Sequence, residues 1–272
     1  MRRIFPRVAV RNIELAALLL VVGLAVGCRG RRGSAVPMPK KIVDLSPVIT
    51  EDLPVRQFGH RACAFLGLKE RIAFTPVTPS KEEYAFGLTS FDLVSNVGAH
   101  IDAPGRLLKG GERADQVPLN KLYGQARLID LRWKDRSSPL QISDLENYSI
   151  AANEILLLFV GYTQPQDEDW PAYSPLSVQA AQWLAAKKIR ALATDMPSIG
   201  SFSRYADLMD KDRPPEEVWA ERLVFSEAGI PVIEGLANMG HLVGEKNLIF
   251  VGFPLPVADR SGAPLRAVAL VF

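Results

Sequence analysis

The most informative stretch of the chain is Ser95-Asn96-Val97-Gly98-Ala99-His100-Ile101-Asp102-Ala103-Pro104. In an extended backbone alternate side chains share a face, which puts Asn96, Gly98, His100 and Asp102 on one side. A His and an Asp two residues apart can both reach one metal ion, with Asn96 as an oxygen ligand and Gly98 leaving space beside them. The same H-x-D spacing also describes an ordinary hydrogen-bonded structural pair. Glu234 follows the apolar Pro231-Val232-Ile233. An acid at the end of a strand stands where sites often form; taken alone, it reads equally as a surface or salt-bridged carboxylate.

These groups need a scaffold, and residues from Lys41 onward supply one without a linker, repeat or low-complexity stretch. Short apolar runs predict strands over 41–45, 84–94, 98–101, 126–131, 154–160, 191–194, 231–233, 247–251 and 265–271. The run at 155–160 is almost continuously apolar, as expected of a strand buried on both faces. Helices are predicted over 176–188, with Ser177 as N-cap and Val178, Ala181, Trp183 and Leu184 on one side, and over 218–228, ending before Gly229. A short third helix is predicted around 119–123. Strands outnumber helices, so the pattern is that of an α/β or α+β domain.

With 48% hydrophobic and 23% charged residues in 272, the composition is that of a globular protein. It excludes a disordered tail, a collagen-like repeat and a disulfide-rich miniprotein. The net charge of +2 is unevenly distributed. Residues 1–34 carry seven arginines against Glu14, for +6, which leaves −4 for the remainder. A mildly acidic body argues against a nucleic-acid partner, which needs clustered Lys and Arg on the folded domain.

The first residues read as an address. Arg2, Arg3, Arg7 and Arg11 precede thirteen uncharged residues, 15–27. That run is short of the roughly 20 residues that span a bilayer and suits the apolar core of a secretory signal. It ends at Ala25-Val26-Gly27-Cys28, which resembles a bacterial lipobox and implies lipidation of Cys28. An uncleaved anchor helix and a plain signal peptide are the other readings, and all three export the body. The division expected is a signal over 1–28, a basic flexible tether over 29–40 and one domain over 41–272. The expected location is the periplasmic side of a membrane or the cell surface, with the lipidated N-terminus as membrane partner. Cys63 then has no partner for a disulfide and reads as a buried small residue.

The body resembles the cyclase family, the kynurenine formamidase-like and isatin hydrolase-like metal-dependent hydrolases. The family's core motif, approximately H-x-G-T-H-x-D-x-P-x-H followed by Gly and D-Q-I-P-L, is matched by His100, Asp102 and Pro104, then Gly111 and Asp115-Gln116-Val117-Pro118-Leu119. Ile42–Ser46, Leu156–Tyr162 (LLLFVGY), Thr194–Ile199 (TDMPSI), Gly229–Leu236 (GIPVIEGL) and Ser261–Ala269 resemble further family segments in the expected order. The resemblance implies an α/β fold, a single domain with a central mixed β-barrel-like sheet flanked by helices, of the swivelling β/β/α type. It implies a divalent metal, Mn or Zn with Mg as a further candidate, held by His100, Asp102 and Glu234 with Asn96. It implies Lewis-acid activation of water on a small-molecule substrate, an amide, formamide or cyclic amide. A homo-oligomer, dimer or tetramer, is also implied.

The sequence departs from the family at three histidines, which are Asn96, Arg106 and Arg222 here. Arginine stays protonated, so it serves neither as general base nor as cation ligand. Only His60, His100 and His241 remain in the whole chain. His241, seven residues beyond Glu234, is a candidate substitute ligand or base. The catalytic candidates are Glu234, Arg106 and His241. His60, Asp195 and Arg222 are candidate pocket residues, and the resemblance implies that Asp195 shapes the pocket floor. The two arginines admit three readings: internal ion pairs in place of a metal, binding of an anionic substrate, or oxyanion stabilisation by Arg106. The function expected is amide hydrolysis, arylformamidase-like. The alternative is a catalytically degenerate relative, in which the metal can be missing, that binds a small anion through Arg106 and Arg222.

Overall fold

The computed structural model describes residues 37–77, 87–163 and 170–272. The expected export segment, Cys28 and most of the tether lie outside the described residues, as does part of the strand expected over 84–94. Residues Pro39–Phe272 form one compact unit.

Among the described residues this unit has ten strands: β1 Lys41–Asp44, β2 Ala73–Pro76, β3 Thr89–Asp92, β4 His100–Asp102, β5 Tyr123–Asp130, β6 Ile155–Phe159, β7 Ala191–Thr194, β8 Val232–Glu234, β9 Leu248–Pro254 and β10 Gly262–Val271. The helices are α1 Leu53–Phe58, α2 His60–Leu66, α3 Ile142–Leu145, α4 Val178–Ala186, α5 Phe202–Asp210, α6 Pro215–Val218 and α7 Ala220–Glu227. Strands β10, β4, β8, β7, β6, β5 and β9 are hydrogen-bonded in that order, and β9 returns to β10, closing a seven-stranded barrel-like sheet. The β5–β6–β7–β8 run is parallel and the other pairings are antiparallel. Closure depends on the length of β10. Its first three residues pair with β4, while Leu265–Val271 pair with β9. This is the mixed α/β barrel-like domain expected.

Period-two alternation sorts the side chains. Along β6, Ile155, Leu157 and Phe159 join the central cluster with Ile101, Ala193, Ile233 and Ala267. Leu156 and Leu158 pack the other way, with Ala180, Ala181 and Leu184 of α4 and Phe225 of α7. Both faces of β6 are covered, which is why its sequence is continuously apolar. In α4, Ser177 accepts a hydrogen bond from the Ala180 backbone N–H, the expected cap. Trp183 is only half-buried, with Lys187 Nζ 4.4 Å from its ring centroid.

Several elements differ from expectation. The helix expected over 218–228 is broken at Trp219, which leaves helical geometry and lies against Tyr205, ring centroids 4.4 Å apart. The helix expected around 119–123 is a single 3-10 turn, Leu119–Lys121. The 84–94 strand shrinks, within the described residues, to β3, paired only with β2. Helices α1, α2, α3 and α5 were not foreseen; the first three span seven residues or fewer, too short to show helical periodicity. Among the described residues no helix is long and apolar enough to cross a membrane.

Candidate active site

Strands β4 and β8 run antiparallel with His100 directly opposite Glu234 and Asp102 opposite Val232. Ile101 and Ile233 belong to the central core. Alternation therefore turns His100, Asp102 and Glu234 to the other face of the sheet, where α7 packs. The three are buried, and their ligand atoms lie within 4.8 Å of one another, a spacing that could bind a metal ion. Gly235 ends β8 at φ +70°, and a Cβ there would lie 2.4 Å from the Gly98 carbonyl oxygen, so glycine alone fits the close approach of the two loops.

His100 Nδ1 lies 2.9 Å from the Gly98 carbonyl oxygen. A carbonyl only accepts, so Nδ1 carries the hydrogen and Nε2 is the atom turned to Glu234 Oε2, at 3.4 Å. Gln57 on α1 holds the Gly98 peptide from both sides, its Oε1 accepting from Gly98 N at 2.7 Å and its Nε2 donating to Gly98 O at 3.3 Å.

Arg222, the third residue of α7, is buried between the two carboxylates. Its Nη1 donates to Asp102 Oδ2. Its Nη2 lies 2.9 Å from both oxygens of Glu234 and 2.8 Å from Ser198 Oγ. Glu234 Oε1 also accepts from the Ile199 backbone N–H at 2.7 Å. Arg106, in the 3-10 turn Pro104–Arg106, donates to Asp102 Oδ1 at 3.0 Å. That oxygen accepts Asn96 Nδ2 as well, at 2.7 Å. Burial pushes the Asp102 carboxyl up, but the guanidiniums of Arg106 and Arg222 outweigh it and hold the group below its ordinary range. For Arg222, burial works against the charge, and Glu234 and Asp102 overcome it, so the guanidinium holds its proton more firmly than usual.

The expected ligand set is therefore assembled in space, but the positions a metal would take are contested. Asp102 and Glu234 supply two negative charges, Arg106 and Arg222 two positive ones, and every carboxylate oxygen has a partner. Two like unit charges about 4 Å apart repel by about 4 kcal/mol at an effective dielectric constant near 20, and a divalent ion doubles that. With Arg222 where it stands, the residues do not fit a divalent ion bound by both carboxylates. Nor is Asn96 offered as a ligand: its Oδ1 accepts from Ser95 Oγ at 2.5 Å. It also reaches Asp102 from a turn rather than along a strand, because β4 begins only at His100 and Gly98 sits at φ +72°.

The other expected residues lie elsewhere. His241 is exposed in the 3-10 turn Met239–Leu242 and is no member of the cluster. Ala237 N–H donates to the Leu45 carbonyl oxygen at 2.8 Å and carries the chain away after β8. His60 opens α2 with its side chain exposed and its Nδ1 2.9 Å from Glu70 Oε1. Asp195, at the end of β7, accepts from Val160 N–H at 2.9 Å and Tyr162 N–H at 2.7 Å. Burial raises its carboxyl to about 6. It lines a cavity of about 200 Å³ with Gln57, Tyr162, Gly235 and Leu236. Arg222 is committed to the internal carboxylates of Asp102 and Glu234. Ser198, Gln57 and Tyr205 carried no sequence signal of their own, although Ser198 lies in the TDMPSI segment. Cys63 is fully buried, and burial pushes its thiol up to about 11.

Residues 43–201, more than half of the chain, match the cyclase family model ("Putative cyclase"). The chain belongs to the cyclase family. Among cyclase relatives, the kynurenine formamidase of Salinibacter ruber is 29% identical over 192 residues, covering 70% of this chain and 82% of its own. Isatin hydrolase A from Labrenzia aggregata superposes with a TM-score of 0.67 at 19% identity, over 94% of this chain and 99% of its own. A protein described as a potential metal-dependent hydrolase with cyclase activity superposes at 0.61 with 22% identity, over 85% and 98%. These structural likenesses establish the cyclase-family fold. The β4–β8 cluster brings His100 and Asp102, which lie within the matched residues, together with Glu234, which lies beyond them.

Proposed function

We propose that this cyclase-family protein is a hydrolase of a small amide, formamide or cyclic amide, with the β4–β8 cluster as its reaction centre. The observation that carries this reading is the buried His100–Glu234 pair, Nε2 to Oε2 at 3.4 Å, beside Asp102, in a chain whose relatives include formamidases. Amide hydrolysis needs a group to take a proton from water and a cation or donor facing the carbonyl oxygen. His100, with Nδ1 engaged by Gly98, offers Nε2 for the first role, and Glu234 beside it can share the proton. Arg106 suits the second. Its side chain is 34% exposed, and Nη1 alone of its donors meets Asp102, so it is the charged member of the cluster that a substrate oxygen can reach. The test is turnover of N-formylkynurenine and isatin by the purified chain, with and without added Mn²⁺ or Zn²⁺. Hydrolysis of neither under any condition would rule the reading out.

A second reading is favoured by the engagement of Arg222 with both carboxylates: a degenerate relative that binds a small carboxylate without turning it over. With Arg222 committed internally, Arg106 alone would face the ligand. Thermal shift by small carboxylates that is lost in Arg106→Ala, in a chain without turnover, would favour this alternative.

The N-terminal segment supports a further proposal, export and lipid anchoring at Cys28, on the strength of its basic start and thirteen-residue apolar run. Cys28→Ser should release the chain from the membrane fraction; unchanged membrane association would count against lipidation.

A further inference from the structure

We propose that the Arg222 guanidinium is the resident cation of the β4–β8 centre, standing between Asp102 and Glu234 in place of a divalent metal, so that the native chain holds no ion there. The inference deepens the reading of this centre as a hydrolytic site and rests on it for location.

Four observations carry it. First, all four carboxylate oxygens are occupied: Asp102 Oδ1 by Asn96 and Arg106, Oδ2 by Arg222, Glu234 Oε1 by Arg222 and Ile199 N–H, and Oε2 by Arg222. Second, the amide oxygen of Asn96 accepts from Ser95, leaving His100 Nε2 as the one ligand atom without a closer partner. A single imidazole is a poor metal site. Third, the two carboxylates and two guanidiniums cancel, so an added divalent ion would leave a buried centre with two uncompensated positive charges. Fourth, Arg222 cannot simply withdraw. It is buried and also bonded to Ser198 Oγ, and expelling it from its carboxylates would strand a permanent charge inside the protein. A tethered cation also carries none of the association cost that a diffusing ion meets.

The experiment uses the full-length chain, expressed in medium supplemented with Zn²⁺ and Mn²⁺ and dialysed into metal-free buffer. Metal content is measured by elemental mass spectrometry, and the melting temperature is measured in EDTA and in excess Zn²⁺, Mn²⁺ or Mg²⁺. No stoichiometric metal and no shift in melting temperature are expected. An ion bound at a hundredfold excess over its Kd would raise the melting temperature by several degrees. In Arg222→His, which replaces the permanent charge by a potential ligand, retained metal and a metal-dependent rise in melting temperature are expected. One equivalent of metal retained by the native chain overturns the proposal, as does a folded Arg222→His variant that gains no metal. The native-chain measurements need no variant and decide even if the substitution prevents folding. A native chain that holds metal and hydrolyses amides overturns this inference but leaves the hydrolase reading intact. A metal-free chain without turnover does the reverse.

Discussion

Arg222 Nη2 lies 2.9 Å from each carboxylate oxygen of Glu234, with both side chains buried. Removing one partner of a buried pair leaves an uncompensated charge and costs about 3–5 kcal/mol. Here Arg222→Ala would strand Glu234 and half of the Asp102 carboxylate. Chemical denaturation should show a loss of that size. Arg222→Lys keeps the charge but loses the planar fork and should fall between the two. A loss below about 1 kcal/mol for Arg222→Ala would mean that the pair behaves like a surface contact.

Arg106 is expected to act on turnover rather than on folding. Its contact with Asp102 is partly exposed, and such pairs contribute about 0–1 kcal/mol. Losing a donor to a developing oxyanion lowers kcat by about 10²–10³. Arg106→Ala should therefore melt close to the native chain while losing most of its kcat. A drop in melting temperature that tracks the loss of activity would assign Arg106 a structural role.

Asp195 sets a pH dependence with a definite sign. Burial raises its folded pKa to about 6, above the ordinary 3.8. Between these values the folded chain binds more protons than the unfolded one, so this group's contribution falls as pH rises from about 4 to 6 and is flat above. The full effect is about 3 kcal/mol. Asp195→Asn should flatten this part of the stability profile, and an unchanged slope would assign it to other groups.

Gly200 lies against the Tyr205 hydroxyl, the one buried side-chain polar atom among the described residues without a hydrogen-bond partner. A Cβ at Gly200 would sit 1.7 Å from that oxygen, and Tyr205 is fully buried. Gly200→Ala should destabilise by about 1–3 kcal/mol, as overpacking does. Tyr205→Phe in the same background should recover part of the loss. Equal stability of Gly200→Ala and the native chain would show that the tyrosine yields.

The sequence made the barrel legible because most of its strands are apolar runs with clear ends. The predicted span 191–194 coincides with β7, and 154–160 covers β6. Helices α1 to α3 stayed hidden because a helix of seven residues or fewer makes at most two turns. At the site, His100, Asp102 and Glu234 were legible from motif and strand position. Their union depends on the β4–β8 register, which no local pattern encodes. His60 and His241 stand out because histidine is scarce, and His241 also because it follows Glu234 by seven residues; both side chains are exposed. Ion pairing was one of three readings open for the arginines, and only the packing of α7 against β4 and β8 places Arg222 between its two acids.

The most direct measurement is the rate of N-formylkynurenine and isatin hydrolysis by the full chain after exhaustive treatment with EDTA. Turnover that persists in chelator and is unchanged by added Mn²⁺ or Zn²⁺ is expected if Arg106 and Arg222 supply the positive charge of the centre. Turnover that disappears in EDTA and returns with metal would contradict it.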